Sequence, residues 1–287
     1  MPWDDFSEIR TDVIDRLGES ISDTAGDFYA TVGRQIDRAY HDLCNYHPWL
    51  FLRAEPPGVV RTVAPITAGT LAVTNGSTTI TFSSAPAASV ATLELIVTGW
   101  NEVYRIASHT AGATTATLDS AFNGTTNAAA SYTVFQREYN LATNARHLIA
   151  LVISEGSVVV PQRDEAWLRE KYPDPPFAQW PPQYFTRIGE NRIRLCGYPD
   201  RTRRIEVAYT IIPVDISGAG VTILVPRNWR YVIGDGALYL SLLARNDDRA
   251  DAAGILYAGS REKMVEDDLG KRAALGQAGV RHSGDYR

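Results

Sequence analysis

The sequence predicts an α+β protein: a helical bundle built from the N- and C-terminal segments, a small antiparallel β-sheet, and an inserted all-β barrel or sandwich domain. Three observations carry that prediction. Apolar residues recur at helical spacing near both ends of the 287-residue chain. Between about residues 59 and 140 charge thins out and Thr, Ala, Ser, Val and Gly dominate. Within that stretch, period-two alternation is broken by a turn residue every eight to twelve positions.

The N-terminal part, 1–58, opens with Phe6, Ile9, Val13, Ile14 and Leu17 on one helical face, and Gly18 is a natural stop. A second helix is expected from the Thr24-Ala25-Gly26-Asp27 stretch, a loose capping-box pattern. Its stripe is Phe28, Val32, Ile36, Ala39, Tyr40 and Leu43. Pro48 follows its end, and Trp49-Leu50-Phe51-Leu52 leads the chain into a core.

The insert, 59–140, shows six short alternating runs: 70–74, 78–82, 92–97, 102–107, 114–118 and 131–136. Gly69, Asn75-Gly76, Gly99, Gly112 and Asn123-Gly124 separate them. The pattern is that of a small antiparallel barrel or sandwich.

Residues 141–275 are expected to complete the host domain. Leu148–Ile153 reads as a buried strand or a short helix, and Arg163–Tyr172 as a helix between prolines. After the proline-rich Pro173–Pro182 come three strands: Tyr184–Ile188, Arg192–Cys196 and Arg204–Ile212. A helix then spans Trp229 to Leu243, apolar nearly all round and so suited to the centre of a bundle. Asn246-Asp247-Asp248 breaks and recaps the chain before a last helix over 249–275, with Ile255, Ala258, Val265 and Leu269 as its stripe. Residues 276–287 hold three glycines and little apolar content, and are expected to form a flexible tail.

Chemistry is sparse. No G-x-S-x-G elbow, Walker A loop or H-E-x-x-H motif occurs. His41-x-x-Cys44-x-x-His47 lacks a fourth ligand and reads as a helix end, not a zinc site. Asp247-Asp248-x-x-Asp251 reads as helix capping, and Glu262, Glu266, Asp267 and Asp268 as a solvated face. Neither catalytic, cofactor nor metal residues are assigned, and no enzyme is expected. Arg201, Arg203 and Arg204 suit a protein interface or a solvated hairpin mouth better than a phosphate footprint.

The net charge of −5 argues against a dedicated nucleic-acid binder. Two cysteines, Cys44 and Cys196, read as reduced thiols. The opening residues have no apolar signal core, and no run is long enough to span a bilayer, so the chain is expected to be made in the cytoplasm. Fourteen tyrosines and six tryptophans are plentiful, and aromatics held by proline near Phe177, Trp180 and Tyr184 suit an interface.

The order of these features carries a resemblance. Pro182-Gln183-Tyr184 opens a strand, followed by Asn191-Arg192-Ile193-Arg194-Leu195 and Tyr198-Pro199-Asp200. Ile205-Glu206-Val207-Ala208-Tyr209 leads to Ile212-Pro213-Val214, and Leu224-Val225-Pro226 precedes the helix holding Gly236-Ala237-Leu238. Ala244-Arg245-Asn246-Asp247 and the closing helix with Tyr257 complete the set. With the two N-terminal helices, about half the chain resembles the portal-adaptor, or head–tail connector, proteins of short-tailed phages, the group of tail tubular protein A. The insert is a departure from the plainest members.

The resemblance implies a virion protein of the tail or neck that acts in genome ejection. It implies a homo-oligomeric, twelve-fold ring below the portal protein and above a tail nozzle or tail tube protein. DNA would touch it only in transit, and no membrane is involved. Residues expected at portal or subunit contacts are Trp180, Tyr184, Trp229 and Tyr257, with Arg281, His282, Tyr286 and Arg287 of the tail. The ten acidic and four basic residues of 1–42 would keep passing DNA from sticking if they line the channel. The alternative is a tail-associated binding module whose inserted β-domain, with Trp100, recognises carbohydrate or a host surface.

Overall fold

The computed structural model describes residues 3–19, 26–172, 176–218 and 220–274. It is an α+β structure of two compact units: Met1–Arg53 with Thr210–Arg287, and Ala54–Tyr209.

The first unit is helical. Helix α1, Phe6–Leu17, starts at Asp5, whose carboxylate accepts from the Glu8 N–H. It ends at Gly18 with φ at 79°, where Gly18 N–H bonds Asp15 C=O and Glu19 N–H bonds Ile14 C=O. This double closure satisfies carbonyls that the helix end leaves free, and it needs a residue without a Cβ. Helix α2 is Asp27–Tyr46. Its N-cap is Gly26, which offers no side-chain bond. The capping box expected further upstream therefore does not start this helix, and Thr24 and Ala25 lie outside the described residues. The chain then turns through Leu50–Leu52, with Trp49 buried and its indole N–H donating to Leu43 C=O at 2.7 Å.

The β unit follows, with β1 Gly58–Arg61, β2 Leu71–Val73, β3 Thr79–Phe82, β4 Glu94–Val97 and β5 Val103–His109. Next come β6 Thr115–Leu118, β7 Asn127–Ala130, β8 Tyr132–Phe135, β9 Glu138–Asn140, β10 Ala145–Ile153 and β11 Val158–Val160. Helix α3 is Glu165–Lys171, and β12 Phe185–Ile188, β13 Arg192–Leu195 and β14 Arg204–Ile211 complete the set. Back in the helical unit, α4 is Tyr231–Ala244 and α5 is Ala250–Ala274.

Seven strands in the order β7-β2-β3-β6-β5-β4-β8 form a nearly closed, barrel-like sheet. Its interior holds Leu71, Ile80, Phe82, Leu95, Tyr104, Ile106 and Val134, alternate residues of their strands, with Phe122 from the loop after β6. At the tip between β2 and β3, Gly76 has φ at 79°, as the tight turn requires. Three strands, β12-β13-β9, make a second sheet, and β1-β14-β10-β11 a third. The Leu148–Ile153 ambiguity resolves as strand β10. The β unit runs on past the barrel to Tyr209.

In the helical unit α4 is the centre. Val232, Ile233, Gly236, Ala237 and Leu242 are buried against α1, α2 and α5. Its Asp235, also buried, accepts from Arg16 of α1 at 2.9 Å and from the Ser260 hydroxyl of α5 at 3.0 Å. One carboxylate thereby ties three helices. The buried side of α5 is Ala253, Tyr257, Ser260, Met264 and Asp268. This corrects the expected stripe, for Ile255 and Leu269 face outward. Small residues let α5 lie close on α4: a Cβ on Gly236 would come within 2.8 Å of the Tyr257 ring and 3.0 Å of the Ala39 Cβ.

Candidate subunit-contact surfaces

Helix α5 buries its small and polar residues and leaves its long aliphatic ones in water. Ile255 is 76% exposed, Leu256 50% and Leu269 51%. Leu243 at the end of α4 is half exposed as well. Beside Ile255 lies a groove of about 800 Å³ between α2, α4 and α5. Tyr239, Leu240, Gly254 and Ala258 line it, with Arg38, Asp42, Asp251 and Arg261 around them. Covering one such aliphatic side chain is worth about 1.5–3 kcal/mol. Ile255 and Leu256 adjoin on α5, and Leu269 stands about 21 Å farther along its axis.

Tyr257 also belongs to this groove, from behind. It is buried, and its hydroxyl donates to the Asp42 carboxylate at 2.8 Å. Arg261 binds the same carboxylate at 3.0 Å and sits 4.5 Å from the Tyr257 ring centroid and 4.2 Å from that of Tyr46. Burial, with the neighbouring Asp42 carboxylate, pushes the Tyr257 hydroxyl far above its ordinary pKa. Tyr257 is thus a strut under the surface.

Trp229 is half-buried, and its indole N–H donates to Asp267 at 2.9 Å. The Lys271 ammonium, then the indole, hold the Asp267 carboxyl below the ordinary range. Tyr257 and Asp267 stand ten residues apart on α5, which is about 15 Å along the axis, so Trp229 and Tyr257 mark different ends of that helix.

Asp268 is the residue that sequence reading missed. It was placed on a solvated face, yet its side chain is 8% exposed. It accepts from the Leu50 N–H at 2.9 Å, the Arg272 guanidinium at 2.7 Å and the His47 ring at 3.1 Å. Burial works to raise its pKa, but these hydrogen bonds outweigh it and hold the carboxyl below the ordinary range. Asp268 so anchors the turn after α2 to the last turns of α5. The other histidine of the spaced triplet, His41, bonds Asp215 at 2.7 Å, and Cys44 is buried, so the three side chains go to separate partners.

Trp180 and Tyr184 belong to the β unit. Trp180 is half-buried, with the Arg203 guanidinium 5.2 Å from its ring centroid, and the Trp180–Pro181 bond is cis. Tyr184 meets Trp167 of α3 edge-on at 4.8 Å and Tyr172 at 6.1 Å, with the Arg163 guanidinium 5.5 Å away. Phe177, half exposed, closes the group against Tyr172. Trp180 and Tyr184 thus belong to the β unit, and Trp229 and Tyr257 to the helical unit. Arg281, His282, Tyr286 and Arg287 lie outside the described residues, as does the expected tail.

A polar cleft of about 400 Å³ also lies in the β unit, lined by Glu94, Arg137, Arg169, Tyr172, Arg194 and Cys196 among others. Its guanidiniums are matched by carboxylates. Arg137 grips Glu94 through two bonds, at 2.6 and 2.9 Å. Arg194 bridges Glu138 at 2.6 Å and Glu165 at 3.1 Å, and Glu165 holds Arg169. Burial opposes ionisation of Glu138, but Arg194 and Arg192 prevail and lower its pKa. This lattice clamps α3 to the strands. Among the described residues no cluster of three His, Cys, Asp or Glu side chains is placed to hold a metal ion. No described helix is long and apolar enough to cross a membrane.

Residues 4–282 match the family model described as SU10 adaptor protein. No curated protein matches the chain.

Proposed function

Since the chain belongs to the SU10 adaptor protein family, a family of phage structural adaptors, we propose that it joins portal to tail as one member of a ring through which DNA passes. The observation that carries this reading is the exposed aliphatic pair Ile255 and Leu256 on α5, beside the groove. A ring subunit needs two unlike adhesive surfaces, because head-to-tail contacts close a circle. The pair supplies one, beside a groove that a neighbour's side chains fill. The half-buried rings of Trp180, Tyr184 and Trp229 are further contact points, with Tyr257 supporting the groove wall from below.

The tail residues Arg281, His282, Tyr286 and Arg287 dock on the portal in this reading, as the resemblance to tail tubular protein A-type adaptors implies. A nozzle or tube protein binds on the other side. The barrel strands β2 to β8, within the insert expected over 59–140, are a separable module, and the acidic N-terminal stretch repels DNA in transit. The role is structural and the place of action is the virion neck during genome ejection.

Mass photometry and negative-stain electron microscopy of the full chain, alone and mixed with portal protein, test this. Rings, in either sample, are expected. A chain that stays monomeric and unbound beside portal protein overturns the proposal.

A further inference from the structure

One end of the barrel carries a tryptophan on a prepared seat. Trp100 stands in the turn between β4 and β5, where the β2–β3 and β6–β7 loops also meet. The Asn75 amide donates to Gly124 C=O at 2.8 Å, and Gly76 N–H donates to Phe122 C=O at 2.8 Å, which ties two of these loops together. The third rests on them through Trp100. A Cβ on Gly124 would come within 2.8 Å of both ring-fusion carbons of the indole, and Phe122 meets the indole edge-on at 6.2 Å. Trp100 is still 37% exposed, and its indole N–H has no partner among the described residues. An aromatic ring already held in place loses little freedom when it binds.

Beside the ring, hydrogen-bonding capacity is left over. The Tyr104 hydroxyl lies 2.8 Å from a Glu102 carboxylate oxygen and 2.6 Å from the Asn123 side-chain oxygen, and it accepts from the Asn123 N–H at 3.1 Å. A phenol has one proton, so it serves one of the two acceptors. Turning the Asn123 amide over brings its NH2 to the phenol and frees the carbonyl oxygen instead. In both arrangements an acceptor oxygen is left for a donor from outside. Glu102 and Asn123 are exposed, and Glu102 makes no ion pair among the described residues.

The charge of the barrel narrows the ligand. Residues 71–135 hold four charged side chains, Glu94, Glu102, Arg105 and Asp119, of which one is a cation. Nucleic acid is held through several cations, and an acidic glycan would meet the Glu102 carboxylate, so neither fits. A neutral sugar fits each group. Its apolar C–H face covers the indole, its hydroxyls donate to Glu102 and Asn123, and one of its oxygens accepts from the indole N–H. We propose that this end of the barrel binds a neutral saccharide, with Trp100 as the platform and Glu102 and Asn123 as hydroxyl acceptors. The site concerns the barrel alone and stands apart from the ring.

The full chain and three variants, Trp100→Ala, Trp100→Phe and Glu102→Gln, are applied to a printed array of bacterial surface polysaccharides and neutral oligosaccharides, and each hit is titrated by calorimetry. The unaltered chain is expected to bind a neutral glycan. Trp100→Ala is expected to weaken binding at least about tenfold, and Trp100→Phe less, since a ring remains on Gly124. Glu102→Gln is expected to weaken it about fivefold. Trp100→Phe and Glu102→Gln alter exposed side chains and keep the thermal melt of the barrel, so they carry the test if Trp100→Ala loosens the loop. No glycan bound by the unaltered chain, or a hit that all three variants keep at full affinity, overturns the proposal. A Trp100-dependent hold on single-stranded DNA or on a tail protein, with no glycan bound, overturns it too. Rings are scored by electron microscopy in the same samples. Rings without glycan binding overturn this site and leave the adaptor reading standing, whereas glycan binding without rings supports the site and removes the adaptor reading.

Discussion

At the scale of single residues, Asp268 is a buried carboxylate that holds three donors. Its three donors come from α5 itself and from the turn after α2. Asp268→Ala leaves those donors facing a dry gap, and the expected loss is about 3 kcal/mol in urea unfolding of the helical unit. The acid limb follows from the same group. A carboxyl whose folded pKa lies below its unfolded one contributes stability that is complete above the unfolded value and fades as pH drops through the folded one. Helicity followed by circular dichroism should fall on acidification below the ordinary carboxylate range. Asp268→Asn should lower stability at neutral pH and flatten that limb. The sequence could not reveal this residue, because His47 stands 221 positions away and Leu50 218. Run-of-four acidity near 262–268 resembles a wet face, and only the fold turns one member inward. Gly18, by contrast, was legible, since helix termination is a local affair.

At the scale of elements, legibility followed amphipathicity. Helices α1 and α2 carry sharply sided stripes and emerge near the expected positions. Most barrel strands coincide with the alternating runs for the same reason. Strand β7, Asn127–Ala130, went unread because three of its four residues face solvent and the fourth is alanine. Strand β11, three valines, has no alternation to read. Helix α5 was found but its orientation was not. Its inward side uses Ala253, Ser260 and Asp268, which hydropathy counts as neutral or polar, while Ile255 looks out. Close packing explains the choice, as the space beside Gly236 is already taken by the Tyr257 ring. Gly236→Ala is therefore expected to cost about 1–3 kcal/mol by overpacking, measured as a lowered denaturation midpoint with an unchanged slope.

At the scale of the whole molecule, two separate hydrophobic clusters predict two unfolding events. One core joins α1, α2, α4 and α5, and the other fills the barrel. Calorimetry should resolve two transitions. Leu95→Ala, which empties part of the barrel interior, should shift one by about 2–5 kcal/mol of stability and leave the other in place. Gly236→Ala should do the converse. A single transition that both variants move together would contradict two independent cores. Composition announced the change of character near residue 59, because barrels are poor in charge and rich in Thr, Val and Gly. It was silent on where the β unit ends, since strands β9 to β14 mix charges with apolar residues much as the helical unit does.

The way the chain passes from one unit to the other has its own consequence. Arg53 and Thr210 are partners in an antiparallel bridge, and Ala54 N–H bonds Tyr209 C=O at 2.9 Å just beyond. Exit and re-entry are thus neighbours, about 5 Å apart. Any folded cassette whose own ends lie that close can be spliced at this doorway without disturbing the helices. Recombination between phage lineages could trade the 156 residues between Arg53 and Thr210 as one block. The helices would persist in such exchanges.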